Sequence, residues 1–190
     1  MDKLTPEEAV KATRLWLEKI VVALNFCPFA KKELINETIE YHVCESRRFT
    51  PALEAFILQV EKLVKLPEVE TTLVIFNQGF NDFEDFLALV DYANDLLNDC
   101  GYEGIFQIAT FHPDYTFEGE EPSNASHYTN RSPLPILHIL REASMEKALK
   151  SYKQPELIPE ENITLANNKG TQYFKAVLDD ILQQVHNKKK

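Results

Sequence analysis

The stretch Thr71-Thr72-Leu73-Val74-Ile75-Phe76 decides the fold of this chain. All six residues are β-branched or apolar, which is typical of a strand buried on both faces of a sheet. Such a strand needs helices on both sides, and apolar residues recur at helical spacing in the segments before and after it. The sequence therefore predicts an α/β fold built around residues 71–76.

The flanking segments alternate between helical and strand patterns. Thr5-Pro6-Glu7-Glu8 has the capping hydroxyl, proline and glutamate of a helix N-terminus. Two more strands are predicted at 39–44 and 105–111, and two more helices are predicted between Thr50 and Pro67 and between Asn81 and Gly101. A fourth helix is predicted from Ser132 to about Tyr152, and residues 153–169 are predicted to connect it to a C-terminal helix. We expect a single α/β domain of residues 1–190, with a small mixed or parallel sheet of three to four strands and about five helices.

Composition excludes several classes of partner. The 190 residues carry a formal net charge of −10, which argues against duplex nucleic acid or an anionic membrane surface as the main partner. No apolar run reaches the length of a membrane span, and the N-terminus has no signal-peptide core. The three cysteines do not form a disulfide or zinc pattern. We therefore expect a cytoplasmic protein.

The polar chemistry is concentrated in one segment, Phe111 to Glu142. It begins at the C-terminal end of a predicted strand, where open α/β folds place their ligands. It then crosses a long irregular stretch, 112–131, and such long loops are often functional. In the predicted fourth helix, His138, Arg141 and Glu142 are three and four residues apart and share one face.

Anion binding is one interpretation of this segment. Ser132-Pro133 is a predicted helix N-terminus, whose free N–H groups attract phosphate or carboxylate, and Arg131 comes directly before it. Arg141 joins them only if the loop folds back. The alternative is that Ser132 only caps the helix and both arginines pair with the acidic loop residues.

The sequence gives weaker support to metal binding and to thiol chemistry. His112, His127 and His138 lie within the segment, but their spacing matches no standard metal signature, so no metal site is predicted. Cys27 lies at the C-terminal edge of the first helix, where a nearby His112 would be needed to activate it. The alternative for Cys27 is a buried, inert thiol.

Several motifs resemble one bacterial family of similar length, catalogued as domain of unknown function 1415. They extend over most of the chain, from about Ala9 to Lys150, and are specific when taken together. They are Asn25-Phe26-Cys27-Pro28-Phe29-Ala30, Glu70-Thr71-Thr72-Leu73-Val74, Phe111-His112-Pro113, Thr129-Asn130-Arg131-Ser132-Pro133 and His138-Ile139-Leu140-Arg141-Glu142-Ala143-Ser144. The resemblance implies that the polar segment is a family feature, but it supplies no activity, cofactor or partner.

The sequence leaves two classes of function open. The first is an enzyme or small-molecule binder that acts on an anionic ligand, a phosphate or a carboxylate, between the Asn25–Ala30 edge and the 111–142 segment. The second is a non-catalytic interaction or structural domain. For the first class, the predicted catalytic residues are His112, His138 and Cys27, and the predicted ligand-binding residues are Asn25, Asn130, Arg131, Ser132, Arg141 and Glu142. No cofactor is identified, and the oligomeric state is left open.

Overall fold

The computed structural model describes residues 3–150 and 152–186. Within them, seven α-helices and four strands follow one another along the chain. The helices are α1 (Pro6–Trp16), α2 (Ala30–Ile35), α3 (Phe49–Lys65), α4 (Phe83–Asp99), α5 (Glu142–Lys150), α6 (Ile158–Lys169) and α7 (Thr171–His186), and the strands are β1 (Ile39–Cys44), β2 (Thr71–Phe76), β3 (Phe106–Phe111) and β4 (Ile136–Arg141). A π-helical segment, Leu17–Val22, continues α1.

The four strands form one mixed sheet in the order β1-β2-β4-β3. β1 runs parallel to β2, whereas β4 is antiparallel to both β2 and β3. In this register His138 lies opposite Leu73 on one side and opposite Ala109 on the other. The fold is therefore α/β with a small mixed sheet, as the sequence predicts.

Helices cover both faces of the sheet, and each face has its own apolar core. Leu73 and Ile75 of β2 belong to the core that contains buried residues of α1, α6 and α7. Val74 and Phe76 belong to the core that contains buried residues of α3 and α4. All six residues of β2 are buried, which confirms the prediction made for this strand.

Residues 136–141 correct the predicted fourth helix. Ser132-Pro133 does not begin a helix; the chain instead enters β4, and α5 starts only at Glu142. The alternating residues Leu137 and Ile139 are both fully buried against the second core. Pairing with two strands satisfies the β4 backbone and overrides the local helical propensity of its leucines. His138 and Arg141 consequently point to opposite faces of the sheet.

The two ends of the chain match the sequence predictions to different degrees. Thr5 and Glu8 form the predicted capping box, and β1 has the predicted bounds. The predicted connector 153–169 is mostly helical, because α6 occupies Ile158–Lys169. None of the helices in the described ranges combines the length and apolarity needed to cross a bilayer.

Candidate functional site

A cavity of about 450 Å³ lies beside the sheet on the α1 face. The loop before α2, α2 itself, the first residues of β2, the end of β4 and α5 form its walls. Its lining is mainly apolar, with a few polar groups; it consists of Leu17, Cys27, Pro28, Phe29, Ala30, Lys32, Glu33, Ile39, Glu70, Thr71, Leu73, His138, Leu140, Arg141, Ser144, Met145, Lys147 and Ala148. We call it the His138 cavity. Its mixture of apolar walls and few polar groups is typical of small-molecule sites.

His138 is held in the cavity wall by a short hydrogen-bond chain. Its Nε2 lies 2.7 Å from Thr71 Oγ1, and the Thr71 hydroxyl donates to the carbonyl oxygen of Ile139 at 2.6 Å. The ring also contacts Phe111, with 6.1 Å between centroids. Burial lowers the pKa of His138 to about 4, because the charged imidazolium loses its hydration. The imidazole is therefore neutral near pH 7.

Cys27 reaches the same cavity through an unusual helix ending. After the π-helical segment, Asn25 takes a left-handed conformation with φ 56°, and the N–H of Phe26 donates to the carbonyl of Val21. This reverses the chain and brings Cys27 to the cavity. Burial raises the pKa of the Cys27 thiol, while hydrogen bonds from the backbone N–H groups of Phe29 and Ala30 act in the opposite direction. π-Helical segments of this kind occur frequently at functional sites.

Basic side chains outnumber acidic ones in the cavity lining. Lys32, Arg141 and Lys147 are basic, whereas Glu33 and Glu70 are acidic. Exposed Lys32 and largely covered Glu33 form an ion pair at 3.0 Å, and Glu33 also accepts a hydrogen bond from Thr38. The lining thus has a formal charge of +1 (three basic minus two acidic groups) on a chain of net charge −10.

The comparison with protein-family models is decisive for the family. A family described as a protein of unknown function, DUF1415, matches residues 8–176. The chain belongs to the DUF1415 family. Searches of curated proteins and of solved structures gave no match. The resemblance seen in the sequence motifs is therefore confirmed, and the functional argument depends on the site itself.

The guanidinium of Arg141 in this DUF1415 chain is held by hydrogen bonds to backbone carbonyls. Its guanidinium donates to the carbonyl oxygens of Leu63 (2.6 Å), Leu66 (3.1 Å) and Val69 (2.9 Å). These groups lie at and beyond the C-terminal end of α3, where a cation complements the exposed carbonyls. The guanidinium also lies 5.6 Å from the centre of the Phe106 ring. These contacts place the guanidinium on the α3 side of the sheet, opposite the face that carries His138.

The other two histidines of the polar segment hold the backbone of the long loop. His112 is fully buried; its Nε2 donates to the carbonyl of Phe80 at 2.9 Å, and its Nδ1 accepts from the N–H of Asp114 at 3.0 Å. His127 repeats this arrangement with the carbonyl of Glu121 and the N–H of Phe117. Because both ring nitrogens are engaged, neither residue has a free nitrogen for acid–base catalysis. Cys27 lines the His138 cavity, and His112 is not among the residues of its lining.

The remaining predicted ligand-binding residues also make backbone contacts away from the cavity. Asn130 donates to the carbonyl of Thr110, Arg131 Nε donates to the carbonyl of Tyr115, and Ser132 donates to the carbonyl of Leu134. The guanidinium of Arg131 also stacks on Tyr128 at 4.7 Å. Asn25 is exposed and serves as the left-handed residue described above. Glu142 begins α5, and its N–H donates to the carbonyl of Ile105.

The structure therefore brings together Cys27, His138 and Arg141 of the predicted set, and it adds residues that sequence reasoning missed. In the sequence, Thr71 is an ordinary residue of a predicted strand, and Lys147 is an ordinary residue of a predicted helix. Only the register of β2 with β4 and the position of α5 reveal their place in the cavity wall. Among the described residues, no group of three or more His, Cys, Asp or Glu side chains could hold a metal ion.

Proposed function

We propose that this DUF1415 protein binds a small anionic molecule with an apolar body in the His138 cavity, and that His138 accepts a hydrogen bond from it. The observation that carries the proposal is the state of the His138 side chain. It is neutral, it lines a largely apolar cavity, and its Nδ1 has no hydrogen-bond partner among the described residues. A neutral imidazole with a free nitrogen is a hydrogen-bond acceptor near pH 7, and its lowered pKa keeps it in this form.

The charges of the lining support an anionic ligand. The lining lacks the acidic excess of the chain as a whole, so its charge opposes the binding of an acid less than the net charge of −10 suggests. Lys147 on α5 forms neither an ion pair nor a side-chain hydrogen bond with the described residues, whereas Lys32 pairs with Glu33 and Arg141 binds carbonyls. We assign it as the main partner of a phosphate or carboxylate, in place of Arg131.

A cytoplasmic location is consistent with this proposal. All three cysteines are free, and Cys100 is exposed. Free exposed thiols suit a reducing compartment.

A thermal-shift screen of carboxylate and phosphate metabolites against the full chain tests the proposal. Wild-type protein should be stabilised by at least one acid with an apolar body. In Lys147→Glu the affinity for that acid should fall about tenfold, since reversing one charge near the ligand costs roughly 1–2 kcal/mol. Lys175→Glu is the matched control, because Lys175 is an exposed lysine on α7 outside the cavity. Equal affinities of the two variants, or no shift with any acid, would reject the proposal.

The alternative of a non-catalytic interaction domain also has an observation in its favour. Helix α4 carries five acidic residues, no basic residue, and an exposed Tyr92; the acidic residues are Glu84, Asp85, Asp91, Asp95 and Asp99. Such a helix suits a basic partner segment. A deca-lysine peptide should then bind wild-type protein more tightly than the double variant Asp91→Asn/Asp95→Asn, while Glu160→Gln/Glu161→Gln on α6 should bind as wild type does. Equal binding by all three proteins would remove this alternative.

A further inference from the structure

We infer that Thr71 is a positioning residue that fixes the proton of neutral His138 on Nε2 and thereby presents Nδ1 as an acceptor, which selects ligands that carry a hydrogen-bond donor. The ligand-selection part of this inference rests on the proposed function. The positioning part depends only on the geometry of the folded chain.

The direction of each hydrogen bond follows from the number of protons available. A carbonyl oxygen only accepts, so the single hydroxyl proton of Thr71 is committed to Ile139 at 2.6 Å. At 2.7 Å, Thr71 Oγ1 can then only accept from His138 Nε2. A neutral imidazole has one N–H, so the proton on Nε2 leaves Nδ1 with a lone pair.

Thr71 is the hydrogen-bond partner that the described residues offer to the His138 ring. Thr71 and His138 lie on the same face of two paired strands, β2 and β4, and Phe111 on β3 contacts the ring. Nδ1 has no partner among the described residues, and the imidazole borders the cavity. A ligand that occupies this position therefore meets an acceptor. A hydroxyl, an amine or a protonated acid satisfies that acceptor, whereas a group without a donor leaves it unpaired.

The combination of Nδ1 with the basic lining narrows the class of ligand. Lys147 favours an acidic group, and the apolar walls favour a hydrocarbon or aromatic body. Nδ1 adds a requirement for a donor. We assign the ligand class as acids with an apolar body and a neighbouring hydroxyl or amino group.

Nitrogen NMR of the full chain labelled with ¹⁵N-histidine tests the positioning role. In wild type and in Thr71→Ser, which retains the hydroxyl, His138 should be protonated on Nε2 and unprotonated on Nδ1. In Thr71→Val this preference should be lost, and signals of both tautomers should appear. His112 and His127 are internal references, because their backbone hydrogen bonds fix the proton on Nε2 in every variant. A wild-type His138 protonated on Nδ1, or a Thr71→Val spectrum identical to that of wild type, would overturn the inference.

A matched pair of acids tests ligand selection. 3-Phenyllactate and 3-phenylpropanoate share a ring and a carboxylate and differ by one hydroxyl. Wild type and Thr71→Ser should bind phenyllactate about fivefold more tightly, and Thr71→Val should bind the two acids about equally. Equal binding by wild type would overturn the ligand class. Failure of both acids to bind would count against the ligand class and the proposed function, while the NMR result would still decide the role of Thr71.

Discussion

Lowering the pH from 7.5 to 5 should destabilise the folded protein through His138. In the folded chain the pKa of His138 is about 4 because of burial, and in the unfolded chain it returns to 6.5. Between these two values the unfolded chain binds a proton that the folded chain does not. The stabilisation is therefore complete above pH 6.5 and is lost progressively as the pH falls toward 4.

The size of the effect follows from the two pKa values. Each pH unit within this window changes the free energy of unfolding by about 1.4 kcal/mol. The interval from pH 6.5 to pH 5 should thus cost about 2 kcal/mol. Burial also lowers the pKa of His112, which adds a loss of the same sign. The contribution of His138 must therefore be isolated by comparison with a variant.

Urea unfolding of wild type and His138→Gln at pH 7.5 and pH 5 measures that contribution. The glutamine amide keeps a donor for Thr71 but does not titrate. Trp16, the single tryptophan of the chain, reports unfolding by fluorescence. Wild type should lose about 2 kcal/mol more than His138→Gln over this interval. An equal loss in both proteins would show that the pKa of His138 is not lowered in the folded chain and would refute the reasoning on its chemistry.

Three further predictions follow from the contacts of individual side chains. Arg141→Met should lower the free energy of unfolding in urea by about 3 kcal/mol, because three carbonyls lose a charged donor. Arg14→Met, which removes only solvent-accessible ion pairs, should lower it by less than about 1 kcal/mol. Similar values for the two variants would contradict the structural role of Arg141. Iodoacetamide followed by mass spectrometry should modify exposed Cys100 well before Cys27, whose pKa is raised, and a bound acid should slow Cys27 alone. Arg131→Ala should lower the melting temperature but leave the affinity for a bound acid unchanged, since Arg131 contacts Tyr115 and not the cavity; a weaker affinity would restore it to the site.

β1 and β2 were predicted with the right bounds, and β3 was predicted one residue too long. β2 has six consecutive apolar or β-branched residues, and such a run has one plausible place, the centre of a sheet. β4 was predicted as a helix for an equally physical reason. Leu137, Leu140 and Glu142 are good helix formers, and His138 and Arg141 have helical spacing. Only pairing with β2 and β3, which sequence patterns do not reveal, places residues 136–141 in the sheet.

The candidate site was predicted in part for the same reason. Cys27 and His138 stand out as chemically active residue types, and both line the cavity. The long loop was predicted to contribute to the site because it is polar. Its His112 and Arg131 instead satisfy backbone groups that an irregular segment leaves unpaired. The sequence does not mark Thr71 as a site residue, because its role depends on lying diagonally opposite His138 on the neighbouring strand.

The position of β4 in the sheet has a consequence for biosynthesis. β4 is the last of the four strands to be made, but it lies between β2 and β3, which do not pair with each other. A nascent chain that ends before Ile136 therefore has exposed edges on both β2 and β3, and edges of this kind favour pairing with other chains. The contacts between the two ends of the chain can form only later still, because Lys11 and Lys19 bind Gln184 and Asp180 of α7. The four-stranded sheet can thus be completed only after about three quarters of the chain has been synthesised, and we expect a chain that ends earlier to be prone to aggregation.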